Sequence, residues 1–378
     1  MKKVILIPDS FKGSLSSEEI CKIMKSTVIK HFSDCEVVEI PVADGGEGSV
    51  DCFLAALGGE RINLNVTGPF FNKVGAFYGL LADGKTAVIE MAVCAGLPMV
   101  GEDKNPLITT TYGVGELIAH AANNGVKRII LGLGGSCTND AGTGAAAALG
   151  TRFYDDRNCE FIPVGGTIKK IKRIDNSDML PLLKDIEIVV MCDVDNPMYG
   201  ERGAAYIFAP QKGADDSMIR ELDEGLINVA EIIKKDLSMD VANIKGGGAA
   251  GGMGSGMVAF LNAALCMGID VVLDTVDFEN IALDADLIFT GEGKIDSQSL
   301  RGKVVAGVAR RAKPLGVPVV AVVGCICDGI ENIYDLGVSA VFSINQRPTS
   351  LDEAILHGKS NMDKTMDNII RFIKAMEA

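Results

Sequence analysis

The chain has 378 residues, more than the roughly 250–300 that one hydrophobic core usually serves, so its length predicts two domains. A formal net charge of -14 argues against nucleic acid or an anionic membrane as a partner, because both bind proteins through clustered Lys and Arg. Ten scattered cysteines without a C-x-x-C pair, and only three histidines, give little material for a zinc site or a Ser-His-Asp triad.

The N-terminus begins with an apolar run at 4–7 that is too short for a signal peptide. No apolar stretch is long enough to span a bilayer. The expected location is therefore the cytoplasm, with no membrane partner.

Strands and helices alternate at both ends of the chain. The pattern predicts strands at 4–7, 36–40, 285–289, 317–323 and 340–344, and helices from Ser16 or Ser17 onward and at 48–57, 301–313 and 362–376. This alternation favours one doubly wound parallel sheet built from both chain ends.

The middle of the chain has a different pattern. Apolar stretches at 61–66, 75–81 and 87–91 follow one another closely with turns between them, which is typical of antiparallel hairpins. A helix at 113–122 and a strand at 128–131 follow. We therefore predict an α/β domain at 1–60 and 285–378, with an inserted mixed α/β domain at 61–284.

Polar, glycine-rich segments follow several predicted strands, which is where ligands bind in open α/β sheets. The first, at 9–14, combines Lys12 with backbone N–H groups at a helix start and suits an anionic oxygen. The second, at 43–48, places Asp44 and Glu47 among glycines. Taken alone, the first segment is equally consistent with an ordinary capped loop, and the second is slightly better explained as a tight turn with Glu47 in the first helical turn.

The segment at 132–144 contains the most glycine and small hydroxyl residues. Gly134 and Gly135 leave backbone N–H groups accessible, and the side chains of Ser136, Thr138 and Asn139 add hydrogen-bonding groups. A structural loop seldom needs this combination, so we expect this segment to bind phosphate groups.

Two acidic segments follow buried strands. Asp193 and Asp195 come after a strand at 187–191, and alternation would place both on one face. Paired carboxylates can hold Mg²⁺ or divide into a base and a metal ligand. Glu292 and Lys294 follow the strand at 285–289 in the same way.

The sequence gives little support for either of two common nucleotide-binding motifs, the P-loop and the dinucleotide-binding glycine motif. No G-x-x-x-x-G-K-[ST] sequence occurs, so the sequence gives no support for a P-loop kinase. The stretch at 246–251 matches G-x-G-x-x-G, but the residues before it make a poor strand. We therefore interpret it as a glycine loop that precedes a helix at 256–266.

Taken together, these segments resemble the bacterial glycerate kinases that phosphorylate the 2-hydroxyl of glycerate. The similar stretches occur in family order over nearly the whole chain, at 8–14, 43–48, 111–117, 132–140, 192–197, 209–214, 248–252 and 290–296. Three residues depart from the pattern: Cys137 stands in place of alanine, Ala141 in place of glycine, and Lys294 in place of arginine.

The resemblance implies a flavodoxin-like (Rossmann-like) domain with an insertion, ATP and Mg²⁺ as cofactors, and conversion of D-glycerate to 2-phosphoglycerate. It suggests roles for the polar residues of the segments described above. Asp193 would act as the base, with Lys12 and Asp44 also catalytic; Asp9, Ser10 and Lys294 would bind substrate; Gly134, Gly135, Ser136, Thr138 and Asn139 would bind nucleotide; Asp195 and Glu292 would hold the metal.

Several alternatives stay open at this point. Asp193 and Asp195 can exchange the roles of base and metal ligand, and the product can be 2- or 3-phosphoglycerate. A homodimer is also open. An NAD-dependent oxidoreductase using the 246–251 loop, and a non-catalytic sugar-acid sensor, are the rival functions.

Overall fold

A computed structural model describes residues 1–43, 45–296, 299 and 303–377. The strands are β1 Lys3–Pro8, β2 Glu36–Glu39, β3 Gly59–Thr67, β4 Lys73–Leu81, β5 Thr86–Glu90, β6 Arg128–Gly132, β7 Arg152–Tyr154, β8 Arg173–Asp175, β9 Glu187–Met191, β10 Ala264–Cys266, β11 Leu287–Gly291, β12 Lys294–Ile295, β13 Val319–Val323, β14 Cys325–Ile326 and β15 Val338–Ser343. The α-helices are α1 Ser17–His31, α2 Ser49–Leu57, α3 Ala92–Ala95, α4 Leu97–Val100, α5 Tyr112–Asn123, α6 Thr143–Ala148, α7 Ala204–Phe208, α8 Asp216–Leu237, α9 Ala249–Leu261, α10 Gly268–Thr275, α11 Phe278–Ala282, α12 Val304–Ala312, α13 Leu351–Leu356 and α14 Gly358–Glu377.

The chain forms two compact units. Unit 1 comprises Met1–Ala43, Asp51–Leu57 and Met267–Ala378, and unit 2 comprises Asp44–Val50 and Gly58–Cys266. No helix in the described ranges is both long and apolar enough to cross a membrane.

Unit 1 is built on a five-stranded sheet in the order β15-β13-β11-β1-β2. Every neighbouring pair is parallel, and β1 from the N-terminal part pairs directly with β11 from the C-terminal part. The expected α/β fold with parallel strands is therefore confirmed. Because parallel strands end at the same sheet edge, the segments that follow β1, β11 and β13 emerge side by side.

Helix α1 begins where its sequence predicts. Ser16 is the N-cap, its hydroxyl accepts a hydrogen bond from the Glu19 backbone N–H (3.2 Å), and the Glu19 carboxylate accepts one from the Ser16 N–H (2.9 Å). This capping box satisfies two backbone donors that the first helical turn would otherwise leave unpaired. The buried face of α1, with Ile20 and Met24, belongs to the same apolar core as β1 and α14.

Unit 2 contains a six-stranded sheet in the order β10-β9-β6-β5-β4-β3. Strands β3, β4 and β5 pair antiparallel, as the closely spaced stretches predict, while β5, β6, β9 and β10 pair parallel. The carboxyl ends of β6 and β9, which precede two of the predicted site segments, are adjacent in this sheet.

Two features of unit 2 differ from the sequence expectations. The 22-residue helix α8, capped by Asp215, was not predicted. The helix predicted at 256–266 is too long at its end, because α9 stops at Leu261, Asn262 adopts a left-handed conformation (φ 52°), and 264–266 form strand β10. A left-handed residue at the end of a helix terminates it in the manner of a C-cap.

Candidate active site

In unit 1, the loop after β1 presents Lys12 at its tip. The Asp9 N–H donates to the Gly291 carbonyl (2.8 Å), which ties the carboxyl ends of β1 and β11 together. The buried side chains of Phe11 and Leu15 flank the turn and their backbones pair across it. Lys12 lies between them and is exposed, so the turn places the positively charged lysine side chain just beyond the end of the sheet.

Glu292 follows β11 in unit 1 and is deeply buried, with 5% of its surface exposed. The pKa of the Glu292 carboxyl is raised to about 7, mainly by burial and to a smaller extent by the charge of Asp9, while a hydrogen bond from Ser299 and the charge of Lys303 oppose the shift. Within the described part of the chain, Glu292 Oε1 has no hydrogen-bond partner. A buried carboxyl with an uncommitted oxygen is a candidate for binding chemistry.

Lys294 is the exposed residue of the two-residue strand β12. Its Nζ is 3.1 Å from Asp296 Oδ2, and 60% of the lysine side chain is exposed. Five predicted site residues of unit 1 thus follow the adjacent strands β1 and β11: Asp9, Ser10, Lys12, Glu292 and Lys294.

In unit 2, Asp193 and Asp195 follow β9, as predicted. The strand ends at Met191, so strand alternation does not apply to the two aspartates, and the expectation that it places them on one face is not supported. Asp193 is half-buried and Asp195 is exposed.

The glycines at 246–248 pack against the segment that carries these aspartates. The Gly248 N–H donates to the Asn196 carbonyl (2.9 Å), and a β-carbon on Gly248 would overlap the Pro197 carbonyl. The residues before these glycines form turns and not a strand. The G-x-G-x-x-G match therefore lacks the strand-turn-helix setting of a dinucleotide site and instead supports the segment 192–197.

The loop after β6 lies directly on the glycines of the 43–48 segment. The Gly134 N–H donates to the Gly45 carbonyl (2.9 Å), and a β-carbon on Gly134 would lie 2.8 Å from Gly46 N. Two segments predicted separately are thus joined within unit 2. Glycine is required here because one backbone passes close to another.

The predicted phosphate-binding residues differ in exposure. Gly135 is exposed and Gly134 half-buried, whereas Ser136 is 7% exposed and Thr138 and Asn139 are 0% exposed. Among the described residues, nothing pairs with Thr138 Oγ1 or with either polar atom of the Asn139 amide. Direct access from solvent is therefore confined to the first part of the loop.

Asp140 fixes the far end of this loop, a role that the sequence analysis did not assign. Its buried carboxylate accepts hydrogen bonds from Thr111 N (2.9 Å) and Oγ1 (2.8 Å), from Gly142 N (3.1 Å) and from Gly144 N (3.3 Å). Burial raises the pKa of the Asp140 carboxyl, while these bonds favour its ionised form. Four donors converging on one carboxylate stabilise the turn into α6.

Lys212 is a second residue that the site prediction missed. It is 2% exposed, and its Nζ donates to Ser136 Oγ (2.8 Å) and to the Thr138 carbonyl (2.6 Å). Burial lowers the pKa of its ammonium group to about 8. The sequence signal, a lysine in the similar stretch 209–214, resembles an ordinary Pro-Gln-Lys-Gly turn and says nothing of burial.

The buried carboxylate of Glu90 accepts hydrogen bonds from the backbone at the end of the 43–48 segment and just after it. It is 3% exposed at the end of β5 and accepts hydrogen bonds from Val50 N (2.6 Å) and Gly48 N (3.3 Å). Asp44, predicted in this segment, lies outside the described residues.

The predicted metal ligands, Asp195 and Glu292, belong to different units. In the described ranges, no group of three or more His, Cys, Asp or Glu side chains is arranged to hold a metal ion. Mg²⁺ commonly takes only one or two protein carboxylates together with substrate phosphates, so the prediction stands untested.

Known proteins are similar to this chain over almost its full length. The model of the glycerate kinase family matches residues 4–374. A Bacillus cereus (strain ATCC 10987 / NRS 248) protein named glycerate kinase is 47% identical over 97% of each chain, and an Escherichia coli (strain K12) protein named glycerate 2-kinase is 45% identical over 97% of each chain. A crystal structure described as glycerate kinase 2 from Salmonella typhimurium LT2 has a TM-score of 0.89 and 40% identity, covering 100% of this chain and 99% of that one. This chain therefore belongs to the glycerate kinase family and is a kinase.

Proposed function

We propose that this protein transfers the γ-phosphoryl group of ATP to the 2-hydroxyl of D-glycerate, giving 2-phosphoglycerate and ADP. The observation that carries the proposal is the end-to-end similarity to the E. coli protein named glycerate 2-kinase, at 45% identity. In the reaction, the bond between the γ-phosphorus and the β–γ bridging oxygen breaks. A bond forms between that phosphorus and the 2-hydroxyl oxygen, which gives up its proton.

The nucleotide is proposed to bind at the loop after β6. Gly134 and Gly135 are the members of this loop that reach the surface, and their lack of side chains lets phosphate oxygens approach the backbone. Thr138 and Asn139, being fully buried, contribute through the shape of the loop.

Asp193 is proposed as the acceptor of the hydroxyl proton. It is a half-buried carboxylate just past the end of a buried strand. A carboxylate in this position can orient a hydroxyl and take its proton as the phosphorus–oxygen bond forms. Asp195 is the alternative base, with Asp193 then serving the metal.

The anionic parts of the substrates are proposed to bind at the unit 1 residues Lys12, Ser10 and Lys294, with Asp9 orienting the loop that carries the first two. Lys12 and Lys294 are exposed cations after adjacent strands. They suit the glycerate carboxylate or the transferred phosphoryl group, which are both negatively charged. Asp44 would accept a hydrogen bond from an acceptor hydroxyl.

Mg²⁺ is the proposed metal, with Asp195 in unit 2 and Glu292 in unit 1 each a proposed carboxylate ligand. Carboxylate oxygens are the ligands that Mg²⁺ prefers, and Glu292 Oε1 has no hydrogen-bond partner among the described residues. When bound, the ion would neutralise charge on the ATP phosphates.

The test is an ADP-release assay with ATP, Mg²⁺ and D-glycerate, with the product identified by phosphorus NMR. Glycerate-dependent ADP release with 2-phosphoglycerate as the product is expected. A 3-phosphoglycerate product would refute the proposed position of transfer and leave the kinase assignment intact. ADP release no greater than in the glycerate-free control would refute glycerate as the acceptor.

A further inference from the structure

We infer that Lys212 is a positioning residue whose buried ammonium group holds the loop 134–138 in the shape that receives the phosphate groups of ATP. The inference rests on the proposed nucleotide-binding role of this loop. Lys212 does not reach solvent, so it acts through the loop and does not bind nucleotide directly.

The first step is the cost of the group itself. An ammonium removed from water is strongly destabilising unless it is paired, and an unbranched apolar residue such as methionine could fill the same space without that cost. The lowered pKa of Lys212 reflects this burial. The titratable groups that face it are the thiol of Cys137 and the carboxyl of Asp140. Packing alone therefore does not account for a lysine here.

The second step is where the ammonium donates its hydrogen bonds. Its two acceptors, Ser136 Oγ (2.8 Å) and the Thr138 carbonyl (2.6 Å), lie on either side of Cys137. The Cys137 N–H donates in turn to the Ala95 carbonyl (2.9 Å). Hydrogen bonds on the buried side of the loop thus hold three consecutive residues, Ser136, Cys137 and Thr138, immediately after the half-buried Gly134 and the exposed Gly135.

The third step is that the lysine is itself held in place. Its backbone N–H donates to the Ala209 carbonyl (3.0 Å), and Gly213 follows in a left-handed conformation (φ 94°). A β-carbon on Gly213 would lie 2.7 Å from the Lys104 side chain. The turn therefore directs the Lys212 side chain toward the loop, where its charge also makes the loop more favourable for anions.

The experiment compares Lys212→Met with Lys104→Met. Lys104 is exposed beside the same turn, so its substitution removes one positive charge without touching the loop. For each protein we would measure kcat, the KM for ATP, the KM for glycerate, the melting temperature, and the Kd of a non-hydrolysable ATP analogue by calorimetry. Lys212→Met should raise the KM for ATP and the analogue Kd at least tenfold, leave the KM for glycerate within twofold, and leave the melting temperature unchanged or higher. Lys104→Met should match the wild type.

Three results would overturn the inference. The first is a folded Lys212→Met protein whose analogue Kd is within twofold of the wild-type value. The second is an equal rise in both KM values together with a lower melting temperature, as a purely structural lysine would give. The third concerns Ser136→Ala, the variant to use if Lys212→Met does not fold, because it removes one acceptor of the ammonium and keeps the lysine. A nucleotide affinity of Ser136→Ala equal to that of the wild type would overturn the inference.

The proposed function fails separately from this inference. A wild-type protein without glycerate-dependent ADP release refutes the proposed function, whatever the variants do. A wild-type protein that turns over normally, with Lys212→Met equally active, refutes the positioning role alone.

Discussion

The packing of Gly134 on the 43–48 segment makes the substitution Gly134→Ala informative. The β-carbon of an alanine would overlap Gly46 Cα and lie 2.8 Å from Gly46 N, whereas the ordinary van der Waals contacts of a β-carbon are at 3.4–4 Å. The obstacle is backbone, which cannot rotate away as a side chain would. One of the two segments must therefore move by about 1 Å.

Two consequences follow from that displacement. Overpacking of this kind costs about 1–3 kcal/mol of stability. Displacing a binding loop by about 1 Å can reduce activity by about 100-fold. We expect kcat/KM for ATP to fall by about 10- to 100-fold, measured in the ADP-release assay, and the urea midpoint followed by circular dichroism to decrease.

The matched control is Gly75→Ala, in strand β4 of the same unit. There the β-carbon would meet only Asn65 Oδ1, at 3.9 Å, which is an ordinary contact. Gly75→Ala should keep wild-type activity and stability. If Gly134→Ala behaves like Gly75→Ala in both assays, the close approach of the two segments is not what the function requires, and the reasoning is wrong.

Three further substitutions test the unit 1 and unit 2 site residues. Asp193→Asn should lower kcat by about 10²–10⁴-fold with little change in the KM for ATP, and wild-type turnover would remove Asp193 from the role of base. Lys12→Met should raise the KM for glycerate more than tenfold, or lower kcat if the lysine contacts the phosphoryl group, and unchanged constants would exclude both roles. Glu292→Gln should be more stable than the wild type in EDTA by about 1 kcal/mol at pH 5 and about 3 kcal/mol at pH 8. The reason is that the folded-state pKa of Glu292 is raised from 4.5 to about 7, so the wild type loses stability as pH rises from about 4.5 to 7. A stability difference that does not change with pH would contradict this.

Strands buried on both faces were predictable because their sequences are nearly continuous apolar runs. β9 has the predicted bounds, and β13 is shorter than predicted by two residues at its start. β11 is shifted by two residues, since its sequence continues through Thr290 and Gly291 into the ladder with β1. Hydrophobicity alone could not place that end, because the backbone hydrogen bonds of a parallel ladder do not depend on side-chain polarity.

Helix α8 shows what pattern reading overlooked. Asp215 caps it through Ser217 N and Met218 N, and its apolar positions, including Leu222 and Leu226, recur at helical spacing. Those signals were present in the sequence. By contrast, the left-handed conformation of Ala141 (φ 54°) could not be seen in the sequence itself. It gives a physical reason for the glycine expected there by family resemblance, since glycine adopts this conformation without strain.

The loop after β6 illustrates the limit of inferring a site from residue types. Glycines, hydroxyls and an amide in one loop predict donors that face a ligand, yet the structure buries Thr138 and Asn139 completely. The polar side chains of these residues lie in the interior of the protein, and the loop is fixed there by hydrogen bonds with Lys212 and Asp140. Sequence cannot distinguish these cases, because a glycine that admits a phosphate and a glycine that admits another backbone look the same. A residue that shapes such a loop is therefore found only when the three-dimensional neighbours of its polar atoms are known.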